Sequence, residues 1–368
     1  MDGKIKGRFG FGMMRLPKIG DEIDIEQTKK MVDHFISCGF NYFDTAHGYL
    51  DKRSELVVKD ALTSRYNRES YVLTDKLTYS YFNNESEIVP LFENQLKRCG
   101  VSYFDYYLIH TVSRNNIEHY RKTKAFETVR ALKEEGRIKH MGFSFHDQPE
   151  FLDELLNEFP YVDVVQIQFN YLDFSNPNVR SKDCYDVCMR HGKEVIVMEP
   201  VKGGNLASLP AEASRVISQL GKSPADLALR FVSGFEGVSM ILSGMSTLGQ
   251  MVENTATMRD AKALTLEEEK GLSKIVSIMN GKDIIDCTSC RYCVDGCPKR
   301  ILIPDLFSCY NSDSLGTWDS AHYYNDVYTK DGHAKASECI KCGKCEATCP
   351  QHLPIRRLLE KVSGRFES

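Results

Sequence analysis

"FDYYLIH", residues 104–110, is an almost unbroken apolar run that ends in a histidine. A run of this length without polar alternation reads as a strand covered on both faces, the kind that parallel sheets contain. Seven further runs share its character: "FGFGMM" (9–14), "FNYFD" (40–44), "YVLTDK" (71–76), "HMGFSF" (140–145), "DVVQIQF" (163–169), "EVIVME" (194–199) and "SMILS" (239–243). All are rich in Val, Ile, Tyr or Phe, and helix-forming sequence separates them. In "KAFETVRALKEEG" (124–136), Ala125, Val129 and Leu132 line one helical face and Gly136 is a stop signal. Ser223 precedes Pro224, an N-cap followed by proline at the first helical position. Eight strands, each followed by a helix, between residues 9 and 260 predict an α/β fold of the (β/α)8 TIM-barrel type. A doubly wound open sheet is the rival, but no GxGxxG stretch joins the first strand to a helix.

The chain has 368 residues, 42% hydrophobic and 27% charged, with a net charge of −4, which suits one large globular domain plus a smaller one. This near-neutral balance excludes a case for nucleic acid or a membrane surface as partner. No apolar run approaches the roughly 20 residues that cross a bilayer, and "MDGKIKGRFGFG" (1–12) is too polar for a signal peptide. The expected location is the cytoplasm. A boundary is expected after residue 263. There Thr265 and Glu268 form a capping-box pattern, and Leu272, Ile275, Val276 and Met279 give the following helix an apolar face. Residues 1–263 would be the barrel, and 264–368 a linker helix with a small cysteine-rich domain.

Thirteen cysteines occur, and eight fall in "CTSCRYCVDGCP" (287–298) and "CIKCGKCEATCP" (339–350). Disulfide frameworks belong mainly to small secreted chains, so these thiols are expected to be reduced metal ligands. Each run has the C-x2-C-x2-C-x3-C-P pattern associated with 4Fe–4S clusters in bacterial ferredoxins, and the two runs imply two clusters. With cross-ligation, Cys287, Cys290, Cys293 and Cys349 hold one cluster, and Cys339, Cys342, Cys345 and Cys297 the other; ligation within each run is the alternative. Zinc is the competing metal, disfavoured by two complete copies that each end in proline. "CPKRILIPDLF" (297–307) and "CPQHLPIRRLL" (349–359) repeat a step from cysteine to a proline-started helix. Residues 298–338, between the runs, resemble the insertion of helical ferredoxin-like domains. Cys38, Cys99, Cys184, Cys188 and Cys309 read as small buried hydrophobes.

Barrel enzymes place their chemistry at the C-terminal ends of the strands. Asp44, Lys76 and His110 close three of the predicted strands, and Tyr49 lies in the loop after one of them. Singly, each has an ordinary reading as a turn residue, solvated end, satisfied imidazole or packed ring. Together on one rim they form a proton-donating device. A tyrosine hydroxyl is a weak acid at neutral pH. A neighbouring Lys76 ammonium would strengthen it, Asp44 would hold that lysine charged, and His110 could orient a substrate oxygen or relay the proton. Such a group suits protonation of the alkoxide left when hydride attacks a carbonyl.

Six stretches in order, "NYFDTAHGY" (41–49), "VLTDK" (72–76), "QLKRCGVSYFDYYLIH" (95–110), "IKHMGFSFH" (138–146), "VVQIQFNYL" (164–172) and "LSGMSTLGQMVEN" (242–254), resemble the aldo-keto reductases over residues 7–258. The resemblance implies Tyr49 as general acid, Lys76 and Asp44 as its tuning pair, and His110 as the orienting residue. It also implies NADPH or NADH lying across the strand ends, with Gly12, Met13, Asp44, Met198 and Val201 among its contacts. Ser144 and Gln166 would hold the carboxamide, and Gly204 and Leu206 would neighbour the pyrophosphate. Ser243, Gly244, Ser246, Gln250, Glu253 and Asn254 would surround the adenosine. Three positions depart from the family. Phe145 stands where many relatives carry an asparagine, and Met198 where an aromatic ring usually stacks. Gln250 replaces the arginine of NADPH-preferring members and cannot supply a bidentate charged clamp, which leaves the two nucleotides open. His47 either faces the substrate or is a plain loop residue.

The chain as a whole resembles a subclass with an appended ferredoxin-like module. The function expected is interconversion of an aldehyde or ketone with its alcohol, the substrate being a small carbonyl or alcohol. Other readings are a nucleotide-binding redox sensor with negligible turnover, and an electron-transfer subunit with a redox partner protein. No flavin-binding sequence is evident to join two-electron hydride transfer to one-electron clusters. The clusters are therefore expected to be structural or a docking surface, with electron exchange as the alternative.

Overall fold

All eight apolar runs become strands in the computed structural model, which describes residues 3–177, 179–316 and 319–367. They are β1 (Phe9–Gly12), β4 (Tyr42–Asp44), β5 (Val72–Leu77), β6 (Phe104–Val112), β7 (Ile138–Phe145), β8 (Val164–Gln168), β9 (Glu194–Met198) and β10 (Val238–Gly244). Between β1 and β4 a short antiparallel hairpin is added by β2 (Lys18–Ile19) and β3 (Glu22–Ile23). The eight longer strands pair in parallel in chain order and close when β10 meets β1. The fold is the expected TIM barrel, followed by a small helical region.

Strand alternation explains what fills the barrel. Tyr42, Val72, Tyr106, Leu108, Val164, Ile196, Met240 and Leu242 form one buried cluster. Each lies an even number of residues from the last inward position of its strand, so all point the same way. Gly10 belongs to this packing: a Cβ there would sit 2.7 Å from Leu242 Cδ2 and 3.0 Å from the Tyr42 ring. Side chains, not a channel, occupy the interior.

Helices outside the sheet follow the same logic. In Ile25–Ser37, Asp24 caps the first turn through Gln27 N (2.9 Å), and Met31, Val32 and Phe35 are buried. Ala125, Val129 and Leu132 are the buried face of Ala125–Glu134. Pro224 opens Pro224–Ser233. Rings of Phe9, Phe35 and Phe40 pack with centroids 5.5–5.9 Å apart, so aromatic packing joins β1 to the first of these helices.

The chain divides into two compact units. One holds the residues up to Pro200 together with Ala225–Leu264, and the other holds Val201–Pro224 with Thr265 onward. In the second unit the capping box is formed: Thr265 N donates to Glu268 Oε2 (2.8 Å) and Glu268 N to Thr265 Oγ1 (3.2 Å). Helix Leu266–Asn280 buries Leu272, Ile275 and Met279 and packs on helix Ala211–Leu220. Gly271 permits that approach, since a Cβ there would lie 2.6 Å from Leu220 Cδ1. Helix Ile303–Leu315, with Pro304 in its first turn, and helix Ile355–Phe366, capped at Pro354, follow the two cysteine runs. Their buried residues Ile303, Phe307, Ile355 and Leu359 belong to a core shared with Cys293 and Cys345. Among the described residues, no helix is long and apolar enough to cross a membrane.

Candidate functional site

The inward row that fills the barrel continues, two residues further on, into a ring of polar and small residues. Tyr42 leads to Asp44, Thr74 to Lys76, Leu108 to His110, Gly142 to Ser144, Val164 to Gln166, Ile196 to Met198, and Leu242 to Gly244. Register aligns the ends: Gly12 pairs with both Asp44 and Gly244, and Ser144 with Gln166.

Lys76 lies at the centre of the group. Its Nζ donates to Asp44 Oδ1 (2.6 Å), to the Thr45 carbonyl (2.8 Å) and to the Tyr49 hydroxyl (3.2 Å), and the side chain is fully buried. Burial pushes the Asp44 carboxyl above its usual range, while the Lys76 ammonium pulls it down. The His110 ring meets Tyr49 edge-on with centroids 5.8 Å apart, and its Nδ1 is 2.7 Å from Thr78 Oγ1. Burial first, then the charges of Lys76 and His146, hold the His110 imidazole well below its ordinary pKa, so it is neutral at pH 7. Strand β6 does not stop at His110. It runs on to Val112 with a register shift against β7 between Ile109 and Val112, and Thr111 takes a left-handed φ of 53°. That irregularity sits beside the polar ring, as bulges near active sites do.

The Tyr49 loop is tightly held. Leu50, Asp51 and Lys52 are successive left-handed residues (φ 53°, 56° and 63°), a strained path for side chains of their size. Ser54 Oγ anchors it on the Met13 carbonyl (2.8 Å), and His47 Nδ1 lies 3.0 Å from the buried Glu55 carboxylate, which also accepts from Arg98. His47 also meets Tyr81 edge-on at 4.8 Å.

The remaining sequence candidates fall in several places. Met13 is buried, and its N–H donates to the Asp44 carbonyl (2.8 Å). Ser144 Oγ accepts from Thr111 N (2.7 Å), and Gln166 is buried beside it in register. Phe145 points to the opposite face and packs on Phe151 at 6.2 Å. Ser243 also faces outward, where Asn254 Nδ2 approaches its hydroxyl at 3.4 Å. Gly244, Ser246, Gln250 and Glu253 are exposed, and the Gln250 side chain accepts from Ser246 N (2.7 Å). Val201, Gly204 and Leu206 belong to the second unit, in the loop around the turn Lys202–Gly204. A dinucleotide fits the barrel's own share of these residues: the rim offers glycines at 12 and 244, and Asp44 Oδ2 is buried with no hydrogen-bond partner among the described residues. An orphaned carboxylate oxygen at that depth calls for a donor from a ligand.

Sequence reasoning missed Thr45, Thr78 and Tyr120. Thr78 lies two residues beyond Lys76 and strand alternation could have found it. Tyr120 donates to the His110 carbonyl (2.6 Å) from helix Ile117–Lys122, a contact with no local signal.

The eight cysteines of the two runs line two cavities in the second unit. One is bordered by Cys287, Cys290, Cys293 and Cys349, the other by Cys297, Cys339, Cys342 and Cys345. Each takes three thiols from one run and the fourth from the other. Apolar groups, Phe307, Leu353 and Ile355 in the first and Ile301, Ile303 and Leu359 in the second, complete the walls. Four thiols around a space suit a cubane cluster, whereas zinc would gather its sulfurs within about 2.3 Å of one point. Among the described residues, no three His, Cys, Asp or Glu side chains form such a single-ion site.

The sequence model of the aldo/keto reductase family matches residues 8–275, and that of the 4Fe-4S dicluster domain matches residues 286–354. An aldo-keto reductase of Mycolicibacterium smegmatis is 28% identical over 233 residues, 62% of this chain and 76% of its own. The uncharacterized oxidoreductase YtbE of Bacillus subtilis is 25% identical over 225 residues, 61% of this chain and 74% of its own. Among solved structures, an aldo-keto reductase from Klebsiella pneumoniae in complex with NADPH superposes with a TM-score of 0.60 at 21% identity, covering 73% of this chain and 90% of that one. The holo form of a Bacillus halodurans aldo-keto reductase gives 0.61 at 23% identity, covering 73% and 91%. At such identities the structures establish likeness of fold, and the match of the family's model to nearly three-quarters of the sequence adds the lineage: the chain belongs to the aldo/keto reductase family of oxidoreductases and carries a C-terminal 4Fe-4S dicluster domain.

Proposed function

We propose that the protein interconverts an aldehyde or ketone with its alcohol, using NADPH or NADH, with Tyr49 as general acid and base. The observation that carries this reading is the seat of Lys76, buried 2.6 Å from Asp44 and 3.2 Å from the Tyr49 hydroxyl. When bound, the nicotinamide supplies hydride to the carbonyl carbon. Tyr49 gives its proton to the substrate oxygen, and the adjacent ammonium stabilises the phenolate left behind. Inside a low-dielectric site such a contact is worth far more than in water. Asp44 accepts from Lys76 and keeps it aimed. Neutral His110 can hydrogen-bond the substrate oxygen without adding a charge that would compete with Lys76. In alcohol oxidation the same phenolate takes the proton back.

In this reading Gly12, Met13, Asp44, Ser144, Gln166 and Met198 hold the nicotinamide end. Val201, Gly204 and Leu206 neighbour the pyrophosphate, and Ser243, Gly244, Ser246, Gln250, Glu253 and Asn254 the adenosine. The family resemblance and the NADPH complex of the Klebsiella protein support this assignment. Two 4Fe–4S clusters would be held by the two cysteine sets that line the cavities, in a domain following a barrel over residues 1–263. Tyr49→Phe is expected to lower carbonyl-dependent NAD(P)H oxidation at least about 100-fold while nucleotide still binds. Unchanged turnover would remove Tyr49 from its role. Tight nucleotide binding without turnover on a broad carbonyl panel, in the wild type, would instead favour the sensor reading.

A further inference from the structure

The loop Val201–Leu206 is fastened to the backbone of the first cysteine run. Asn205 Nδ2 donates to the carbonyl of Cys287 itself (3.0 Å). Lys202, only 1% exposed, places its ammonium 3.6 Å from Asp286. Gly203, at φ 64°, lies so close to the next residue that a Cβ would come 2.5 Å from the Thr288 carbonyl oxygen. One residue on, Ser289 N donates to the Cys287 sulfur (3.4 Å). Lys202, Gly203 and Asn205 thus grip Asp286–Thr288, and that same tripeptide leads straight into a sulfur contact. Nothing in the proton-donating group requires this fastening.

We propose that the cluster held by Cys287, Cys290, Cys293 and Cys349 sets the conformation of Val201–Leu206 and thereby the affinity for the dinucleotide, with Lys202, Gly203 and Asn205 as positioning residues. The inference rests on the reading above, in which this loop neighbours the pyrophosphate and the four thiols hold a cluster. A cluster that fixes Cys287 fixes the carbonyl that Asn205 reads. By linkage the effect runs both ways: a nucleotide that settles the loop must alter the cluster by the same free energy. Hydrogen bonds to cluster sulfurs tune the potential, so a shift of the 287–289 backbone would be felt there.

The test uses the anaerobically purified full-length holoprotein, with NADP+ and NAD+ as probes so that no electrons are donated. Hydrogen exchange across residues 201–206, nucleotide Kd and the midpoint potential of each cluster are measured in wild type, Asn205→Ala and Gly203→Ala, after iron and sulfide content is matched. The expected result is faster exchange in the loop and about fivefold weaker binding in Asn205→Ala, the loss of one hydrogen bond. Nucleotide should move the potential of one cluster in wild type and leave it still in Asn205→Ala. In Gly203→Ala that cluster's potential should shift without nucleotide. Nucleotide binding that is the same in wild type and variants, with no potential shift, overturns the coupling and leaves the reductase reading intact. A wild type that binds neither nucleotide overturns both, and that outcome is recognised by its absence of binding before any variant is compared.

Discussion

Lys76 and Asp44 illustrate why the proton-donating group has to be read as a unit. Burying a single ammonium is costly unless a partner and further hydrogen bonds offset it. Lys76 has both, an anion at 2.6 Å and two oxygen acceptors, so the charge is tolerated at full burial. His110 solves the same problem by remaining neutral. Its consequence for stability has a definite sign. Above about pH 6.5, the ordinary value, folded and unfolded chains both carry a neutral imidazole there and this residue adds no pH dependence. Below it the unfolded chain takes up a proton that buried His110 refuses, so stability falls as pH falls until the native value is reached. The slope from this residue is at most about 1.4 kcal/mol per pH unit. Urea unfolding followed by circular dichroism should therefore lose stability between about pH 6.5 and pH 5 less steeply in His110→Gln than in wild type. Parallel slopes would show that His110 accepts a proton in the folded state.

Elements carry a different kind of constraint. Strands β4, β5, β6 and β8 spend their inward positions first on Tyr, Val or Leu and then, at their C-terminal ends, on Asp44, Lys76, His110 and Gln166. A single register slip would exchange these for outward residues such as Phe43, Asp75 or Ile109 and dismantle the rim. Close strand contact guards the register at Gly142, where an added Cβ would run into the Val164 carbonyl across the β7–β8 pair. Gly142→Ala is expected to destabilise the fold by about 1–3 kcal/mol, the usual cost of overpacking. A denaturation midpoint equal to wild type would show that β7 and β8 can separate without penalty. The loop from Tyr49 to Ser54 makes the complementary point: three left-handed residues persist there with Ser54 tied to Met13 and Glu55 to both His47 and Arg98.

At the scale of the whole molecule the chain builds two cores of different kinds. The barrel core is made by alternation along strands. The second is small, and its helices pack around thiols as well as around Ile, Leu and Phe. Shared walls are the notable feature: each cysteine cavity depends on a residue from the other run, and Ile303 borders both. If the four thiols that border each cavity ligate one cluster, Cys349→Ser and Cys290→Ser should damage the same cluster and leave the same residual EPR spectrum. Cys342→Ser should leave a different one. A Cys349→Ser spectrum that matches Cys342→Ser would show ligation within each run instead.

Read alone, the sequence already determined the eight strands, the residue types at their ends, the capped helix at Thr265 and the spacing of the eight cysteines. These are legible because they depend on periods of 2 and 3.6 residues and on short fixed offsets, which a linear chain displays directly. It did not determine the exact strand ends, since β5 and β6 continue past Lys76 and His110 through ladder contacts with their neighbours. Only the tertiary structure decided that Lys76 reaches both Asp44 and Tyr49, that Tyr120 supports His110, and that Ser243 turns away toward Asn254. It also decided which four thiols border a common cavity, where spacing allowed both pairings, and that residues 201–224 belong with the cysteine-rich unit. Each of these joins side chains or segments whose meeting depends on how the barrel closes and how the helices pack, and local sequence carries no record of that geometry.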